Sequence, residues 1–434
     1  MDNKVTVIAT GDSFMTRRLP VGGYSGFDAL RDVIASHDVC FNNLETTLHR
    51  QEGYPSASSG GTWAISDPEI LGDLKRYGFN LFNTANNHSC DFCHDGLLAT
   101  IRYLRENDLQ FAGTGANLAE AAAPAYLDAP NARVALLASC STFRDGAFAG
   151  NQSSVMKGRP GLNPLRVKKV FHVTKDDFET LRRIVNETHI NAEKDESISL
   201  GYSQPFPEGI LNFGGHLFQC DTESKTVTEP EPKDLDRMLA GIRDAKKQAD
   251  YVLVSIHSHE FEGDISTEPA QFMKTYCHAC IDAGADAILG HGPHAMRGIE
   301  MYRGKPIFYS LGNFIFQTET VAVQPAEAFE NAGMPVTTTI SEYMDHRSAD
   351  GTRGFNVIPE IWQAFMAGIT FEDGSVKEIR IYPITLQMGC ARSKLGWPLL
   401  TNDQDVVDYL NKLCSPFGTH VYTDHSTGSF FLAL

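Results

Sequence analysis

Apolar runs of this 434-residue chain repeatedly end in residues that can ligate a metal ion. These residues are Asp12 after KVTVIATG, Glu45 after VCFNNL, Asn87 and His88 after LFNTAN, His257, His259 and Glu260 after YVLVSI, and His291 and His294 after DAILG. Oxygen and imidazole ligands without thiolate suit a borderline or hard divalent ion such as Mn, Fe, Zn, Mg or Ca. Catalytic metal sites also leave coordination positions open. The pattern predicts one or two such ions.

Helix-like segments separate these runs. The stretches 26–37, 67–78, 95–108, 233–250 and 267–284 carry apolar residues at helical spacing or helix start and stop signals. Strands alternating with helices predict an α/β fold. In such a fold the carboxyl ends of neighbouring strands lie along one edge of the sheet, where ligand crevices form. We therefore expect the polar residues that follow five strands to meet in one place.

Two regions depart from this alternation. Residues 146–235 are too long for a bare loop and are interpreted as an insertion or lid. Arg159 and Arg166 in this region could cover the site, although an ordinary solvated loop is favoured. Residues 320–434 are expected to complete the second sheet, and they contain a hairpin candidate turned at Asp373-Gly374.

Three side chains are candidates for proton transfer. The unperturbed pKa of histidine, about 6.5, suits His88 both as an acid and as a base near neutral pH. Asp91 lies three residues further on and could orient His88, or it could instead cap the helix that begins near Asp95. Glu260 is a candidate second acid or base, and a role on the surface is an equal alternative.

Composition excludes several classes of protein. The formal net charge of −17 argues against a nucleic-acid binder, and it disfavours binding to an anionic membrane surface. No apolar run approaches the roughly 18 residues of a spanning helix, and no signal peptide is seen. Nine cysteines fit reduced thiols better than a disulfide framework. We expect a cytoplasmic protein, and the sequence leaves its oligomeric state open.

Two C-x-x-C pairs, Cys90/Cys93 and Cys277/Cys280, allow other interpretations. Their spacing permits a four-thiolate zinc site or a redox dithiol. The second pair lies inside an amphipathic helix, and neither pair has the Gly or Pro that usually shapes a zinc knuckle. Buried, reduced thiols are therefore the default expectation.

An ordered set of motifs resembles one protein family. GDSFMTR (11–17), NNLE (42–45), NNHSCDF (86–92), GHGPH (290–294) and YSLGNF (309–314) occur in the order found in CapA-like proteins of capsule and poly-γ-glutamate biosynthesis. The resemblance covers roughly residues 4–145 and 250–320, with a looser match through GWPLL (396–400). That family is similar to the calcineurin-like metallophosphoesterases. The resemblance implies a single domain over residues 1–434, built as a four-layer α/β/β/α sandwich.

The resemblance also implies residue roles. Asp12 matches the first acidic metal ligand, Glu45 a bridging aspartate, Asn87 the asparagine ligand, His88 the general acid, His257 the single histidine ligand, and His291 with His294 the closing pair. Arg17 matches a family arginine that could bind a carboxylate or phosphate. The chain departs from the superfamily at Phe14, where a histidine is usual, and at the closing pair, spaced H-x-x-H. The family's usual N-terminal membrane anchor is not seen.

The sequence is compatible with three functions. The first is a metal-dependent enzyme of hydrolase or transferase type, acting on an anionic or peptide-type substrate in poly-γ-glutamate, capsule or peptide metabolism. The second is a metal-dependent peptide epimerase that exchanges a Cα proton. The third is a non-enzymatic subunit of a polymer-synthesis complex.

Overall fold

A computed structural model describes residues 4–434, and its largest element is a ten-stranded mixed sheet. Eight strands form a continuous path in the order Val421–Asp424, Ser429–Leu432, Ser375–Thr385, Gln363–Glu372, Val5–Phe14, Val39–Leu44, Leu81–Asn83 and Gln110–Ala112. Asn313–Phe316 pairs with Val5–Phe14, and Leu399–Leu400 pairs with Ser375–Thr385. We call this the large sheet.

A six-stranded sheet, here called the small sheet, packs against the large one. Its order is Ile299–Tyr302, Lys305–Phe308, Ala287–His291, Tyr251–His257, Arg133–Cys140 and Ala125–Asp128. The four inner strands run parallel, and the two edge strands are antiparallel to their neighbours. The inner strands are buried nearly throughout, as expected for a parallel sheet covered on both faces.

Alternation along the strands separates two layers of core. Val5, Val7 and Ala9 belong to a cluster shared with small-sheet residues such as Leu136 and Leu253. Ile8, between them in sequence, faces the opposite way, because successive side chains of a strand point to opposite faces. Helices Phe27–Ala35, Ile70–Tyr77 and Cys93–Glu106 pack on that outer face of the large sheet. Pro232–Ala245 and Gln271–Ala283 cover the outer face of the small sheet. The predicted α/β class is confirmed.

The region predicted as an insertion forms a sheet of its own. Its four strands have the order Ile210–Phe213, His216–Cys220, Val167–Val173 and Lys225–Pro230. Helices Lys175–Thr188 and Ala192–Ser199 belong to the same region. Arg166, considered above as part of a lid, binds Asp234 through its Nε at 2.7 Å, so it anchors the region to the helix Pro232–Ala245.

The C-terminal strands extend the large sheet. The predicted hairpin is confirmed as Gln363–Glu372 and Ser375–Thr385, and both turn residues, Asp373 and Gly374, have positive φ angles of 49° and 74°. Gln363–Glu372 pairs antiparallel with Val5–Phe14. Residues 320–434 therefore add their strands to the sheet that contains the N-terminal strand Val5–Phe14.

Shorter elements complete the chain. Two-stranded pairs join Thr47–Leu48 to Ile65–Ser66, Thr114–Gly115 to Gly161–Leu162, and Phe261–Glu262 to Ile265–Pro269. The remaining α-helices are Leu118–Ala121, Ala326–Asn331, Ile340–Ser348 and Gln404–Cys414, and 3-10 turns span Thr318–Thr320, Gly354–Val357, Pro359–Trp362 and Ser415–Phe417. Within residues 4–434, no helix has the length and apolar character needed to cross a bilayer.

Candidate metal centre

Four strand ends deliver buried ligand side chains to one place. Asp12 lies near the end of Val5–Phe14, and Glu45 follows Val39–Leu44 directly. His257 and His291 are the last residues of two neighbouring parallel strands, and they are register partners. All four residues have no exposed surface. The large and small sheets therefore both contribute to the centre, as expected for carboxyl-end residues of packed α/β sheets.

Asp12, His257 and His291 form the first group of ligand atoms. Oδ1 of Asp12 lies 3.6 Å from Nδ1 of His291 and 3.8 Å from Nδ1 of His257. The two histidine Nδ1 atoms are 2.9 Å apart. These three atoms lie within 4.8 Å of one another, which is close enough for a single ion to contact all of them.

Glu45 extends the cluster in two directions. Its Oε2 lies 3.8 Å from Nδ1 of His294, which is also 3.6 Å from Oδ2 of Asp12. Its Oε1 lies 3.7 Å from Nε2 of His257, and that nitrogen is 3.1 Å from Nε2 of His259. Asp12, Glu45 and His257 each belong to more than one such group, so the arrangement offers room for one ion or for two.

The turn after His291 brings His294 back to the cluster. Gly292 has a φ of 125°, and its N–H donates to Oδ2 of Asp12 at 3.1 Å. His294 itself has a φ of 59°, an uncommon conformation for a residue with a side chain. Asn313 donates from Nδ2 to the carbonyls of His294 and Ile361, which directs its Oδ1 to Nδ1 of His294 at 2.9 Å. The H-x-x-H spacing thus still delivers both histidines.

Burial dominates the electrostatics of the cluster. It raises the pKa of Asp12 to about 7, opposed by hydrogen bonds from Asn43 and Gly292. It raises the pKa of Glu45 well above its ordinary value, an effect reinforced by the charges of Asp12 and Asp91. The same loss of hydration lowers the pKa of His291, as of His259 and His294, to about 3. The histidines are therefore neutral, the state in which imidazole ligates metals.

Glu45 provides a direct test of whether a cation fits. Both of its carboxylate oxygens are buried, and neither has a hydrogen-bond partner among the described residues. Burying an ionised carboxylate without a partner is costly, so such groups are normally paired or coordinate a metal. The nearby nitrogen atoms of His257 and His294 are neutral acceptors or weak donors that cannot balance its charge. The donor set of carboxylates and imidazoles fits a divalent ion.

An asparagine network supports Asp12. Asn43 donates from Nδ2 to Oδ1 of Asp12 at 2.7 Å. Its own Oδ1 accepts from Nδ2 of Asn83 at 2.6 Å and from Nδ2 of Asn86 at 3.3 Å. All of these side chains are buried. Asn43 was not predicted as a functional residue, and His259 was predicted only as one of the strand-end residues able to ligate a metal, without a specific role. The signals were their positions, one residue from a strand end in NNLE and two residues after His257.

His88 and Asp91 form a buried pair. Nδ1 of His88 lies 2.6 Å from Oδ2 of Asp91, which also accepts from the N–H of Ala64 at 2.7 Å. Burial raises the pKa of Asp91, and the charge of His88 opposes that rise. Asp91 does not cap the following helix, which begins at Cys93 after Phe92 without a side-chain cap. Of the two roles considered for Asp91, its contacts fit that of orienting His88.

Asn87 lines a cavity next to this pair. Its Oδ1 is buried and has no hydrogen-bond partner among the described residues, so this oxygen is free to ligate a cation. Asn87 and Asp91 line a cavity of about 260 Å³ together with Arg144. Arg144 is exposed and donates to the carbonyl of Ser59 at 2.7 Å. The cavity gives a small molecule access to the side of the His88–Asp91 pair.

The sequence matches the family described as bacterial capsule synthesis protein PGA_cap over residues 6–318. That match spans well over half of the chain and includes every strand end described above. The chain belongs to this family. The family that the ordered motifs indicated is therefore confirmed.

Three bacterial proteins illustrate what this chain is similar to. The uncharacterized protein y4sH of Sinorhizobium fredii (strain NBRC 101917 / NGR234) is 32% identical over 98% of this chain and 92% of its own length. The capsule biosynthesis protein CapA of Bacillus anthracis is 25% identical over 73% of this chain and 60% of its own. The PGA biosynthesis protein CapA of Bacillus subtilis (strain 168) is 24% identical over 73% and 64%.

Phe14 occupies the position at which the motif resemblance led us to expect a histidine. Its ring is fully packed, with its centroid 5.3 Å from that of His88 and 6.3 Å from that of Phe316. An apolar ring at this position supplies no ligand. It contributes instead to the wall that holds His88 in place.

Arg17 and Glu260 have structural partners. Arg17 donates from Nη1 to the carbonyl of Ser393 at 2.5 Å and from Nη2 to that of Leu395 at 2.9 Å, so its guanidinium holds the C-terminal segment. Oε2 of Glu260 accepts hydrogen bonds from three hydroxyl groups at 2.8 to 2.9 Å, those of Ser141, Thr142 and Ser258. The substrate-binding role of Arg17 and the acid/base role of Glu260 remain predictions.

The cysteines stand apart from the ligand cluster. Metal-ligand groups found among residues 4–434 contain no cysteine, and all nine cysteines are free. Cys277 and Cys280 are buried in the helix Gln271–Ala283, as expected for packing residues. Cys93 is exposed and Cys90 is half-buried, so the default of buried thiols does not hold for that pair. Burial nevertheless raises the pKa of Cys90 to about 12, so its thiol stays protonated near neutral pH.

Proposed function

We propose that this PGA_cap protein is a metal-dependent enzyme that carries out acid/base chemistry of hydrolase or transferase type. The observation that carries the proposal is the convergence of four fully buried side chains, Asp12, Glu45, His257 and His291. Neither carboxylate oxygen of Glu45 has a hydrogen-bond partner in the part of the chain that the structure describes. A purely structural role would not require two buried carboxylates beside neutral histidines, since burying charge is costly. His294, His259 and Asn87 complete the proposed ligand set.

The fold assignment belongs to the same proposal. Two sheets packed face to face, with helices on both outer faces, support a metallophosphoesterase-type sandwich. A divalent ion held there would act as a Lewis acid towards a phosphoryl or carbonyl oxygen.

His88 is proposed as the proton donor or acceptor. Its Nδ1 is held by Asp91 at 2.6 Å, which leaves Nε2 for the substrate. A carboxylate that binds one ring nitrogen fixes both the tautomer and the orientation of the imidazole. The ring of Phe14 packs against its edge and limits its rotation. The pair can therefore give a proton to a leaving group or take one from a carbon.

The proposed substrate is an anionic or peptide-type molecule of polymer or peptide metabolism. Relatives of this chain carry the names capsule biosynthesis protein and PGA biosynthesis protein, and further relatives in Mycobacterium tuberculosis are named probable polyglutamine synthesis accessory proteins. The free state of all nine cysteines supports a reducing compartment such as the cytoplasm.

The test uses protein purified without chelator and analysed for bound metal. The protein is then incubated in deuterated water with phosphoesters, γ-glutamyl peptides and α-linked peptides. Released phosphate or peptide cleavage supports the proposal, and both must disappear in His88→Gln while metal content is retained. Deuterium at Cα without cleavage would make the protein an epimerase instead. No bound metal, and no affinity for added Mn²⁺ or Zn²⁺, would refute a metal-dependent enzyme.

A further inference from the structure

A second cavity adjoins the proposed metal centre on the side of the small sheet. It measures about 480 Å³ and is lined by His259 and Pro293 of the centre and by Arg297. His259 connects the two directly, because its Nε2 lies 3.1 Å from Nε2 of His257. Most other lining side chains are apolar, namely Phe261, Ala295, Met296, Ile358 and Ile361.

Arg297 is a buried cation with few partners. The residue is 1% exposed. Its Nε donates to the carbonyl of Ser266 at 3.3 Å, and its Nη2 donates to the carbonyls of Ser266 and His259 at 3.2 and 3.3 Å. Its Nη1 is buried and has no hydrogen-bond partner among the described residues. The hydrogen bonds are long, and they all end on neutral carbonyl groups.

The described part of the chain supplies no close counterion for this guanidinium. Over residues 4–434, no carboxylate oxygen lies within 4.0 Å of an Arg297 nitrogen. Glu260 exerts a weaker electrostatic influence, and its Oε2 is already bound by three hydroxyl groups. Burial lowers the pKa of Arg297 to about 10, which still leaves it protonated near neutral pH. Buried charges are normally paired, because an unpaired charge is strongly destabilising.

We propose that this cavity binds a carboxylate group of the substrate, with Arg297 as its counterion beside the metal centre. The inference rests on the proposed function for the identity of the reaction, but the binding itself can be measured separately. The apolar walls favour an organic acid, because a carboxylate can be satisfied by one guanidinium while its carbon chain contacts the side walls. A phosphate dianion would place two negative charges on a single group beside one guanidinium and would need further donors, and Glu360 at the wall disfavours such a concentration of charge.

The test measures binding of glutarate and of its neutral diamide, glutaramide, by calorimetry. Both the purified protein and the chelator-treated protein are used, so that direct binding of glutarate to metal can be recognised. We expect glutarate to bind in both preparations and glutaramide to bind at least tenfold more weakly. Arg297→Met should weaken glutarate binding roughly 10- to 100-fold, the range for loss of a charge-assisted hydrogen bond. Equal affinity for glutarate and glutaramide would overturn the proposal.

Two further variants keep the result interpretable. Arg243→Met removes an exposed arginine from the helix Pro232–Ala245, and it should leave glutarate binding unchanged although net charge changes equally. Ile358→Trp places a larger ring at a cavity wall where the side chain is 41% exposed, so folding should be unaffected. We expect it to weaken glutarate binding even if Arg297→Met fails to fold. Unchanged binding in Ile358→Trp would place glutarate elsewhere.

Mn²⁺ affinity, measured on the same variants, distinguishes failure of the carboxylate site from failure of the proposed metal-dependent function. Arg297→Met and Ile358→Trp should bind Mn²⁺ as the parent protein does. If Mn²⁺ does not bind but glutarate binding still depends on Arg297, the metal-dependent function fails and the carboxylate site stands. If Mn²⁺ binds but glutarate binding does not depend on Arg297, the carboxylate site fails. It also fails if inorganic phosphate binds this cavity more tightly than glutarate does.

Discussion

Glu45→Gln should abolish metal binding without destabilising the metal-free protein. In the metal-free protein, the two buried oxygens of Glu45 have no hydrogen-bond partner within residues 4–434, and burial raises the pKa of the group well above its ordinary value. An acid whose pKa is raised by folding destabilises the folded state above the unfolded pKa, here about 4.5. Replacing it by a neutral isostere removes that cost at pH 7. The same change removes a charged ligand from the proposed metal centre.

The chain length sets how far the loss of metal binding and the relief of the buried carboxylate shift Tm. With about 2.1 cal/mol/K per residue, 434 residues give an unfolding entropy of about 0.9 kcal/mol/K, so about 1 kcal/mol shifts Tm by about 1 °C. A metal at a hundredfold its Kd stabilises the parent protein by about 2.7 kcal/mol, or about 3 °C. Relief of an unsatisfied buried group contributes about 1–3 kcal/mol in the metal-free variant, or about 1–3 °C.

Thermal unfolding with chelator and with added Mn²⁺ or Zn²⁺ measures these quantities. We expect Glu45→Gln to unfold at or above the parent temperature in chelator. Its unfolding temperature should not rise when metal is added. In chelator, the difference in unfolding temperature between the variant and the parent protein should disappear as the pH falls towards 4.5. Below that value Glu45 is protonated in both the folded and the unfolded parent protein. Glu52→Gln, at an exposed glutamate outside the cluster, is the matched control and should keep the metal-dependent rise.

One outcome would refute the reasoning. If Glu45→Gln loses several degrees in chelator and still gains the full rise with metal, then Glu45 is a structural residue whose partners have been misjudged. The metal would then lie elsewhere, and the groups formed by Asp12 with His257 and His291 would have to be tested separately.

Other predictions follow from the same cluster. His88→Gln should lower kcat about 10²- to 10⁴-fold with unchanged metal content, and Asp91→Asn should also lower kcat through misorientation of His88, as steady-state kinetics and metal analysis would show. Because burial raises the pKa of Asp12 to about 7, metal binding must displace a proton below that pH, and the Kd should rise about tenfold per pH unit from pH 7 to 5.5. A Kd that does not change over that range, measured by calorimetry, would contradict this assignment. Asn43→Ala should cost about 3 kcal/mol of unfolding free energy, because Asp12 loses a buried donor and Asn83 keeps only the carbonyl of Ala85 as acceptor for its amide. Thermal unfolding against an Asn107→Ala control measures the loss.

Strand ends were predictable from sequence because they obey local rules. Apolar runs that end in Asp12, Glu45, His257 and His291 needed only the α/β alternation to be placed at one edge. The hairpin around Asp373-Gly374 was predictable for the same reason, since two positive φ angles favour that residue pair. Each of these inferences depends on a few neighbouring residues.

Partners that are distant in sequence were not predictable. The guanidinium of Arg17 binds carbonyls nearly 380 residues away, and no local pattern distinguishes that use from anion binding. The pairing of Gln363–Glu372 with Val5–Phe14 depends on which sheet has a free edge, a property of the whole fold.

That pairing also sets the order in which the protein can be completed during synthesis. Val5–Phe14 is synthesised about 300 residues or more before its neighbours Asn313–Phe316 and Gln363–Glu372. At about 5–20 residues per second, the strand that carries Asp12 waits roughly 20–70 s for its last partner. During that time it exposes an apolar edge, the kind of segment that chaperones bind. The region matched by the family, residues 6–318, would leave the same edge open, so it is not expected to fold without the C-terminal hairpin.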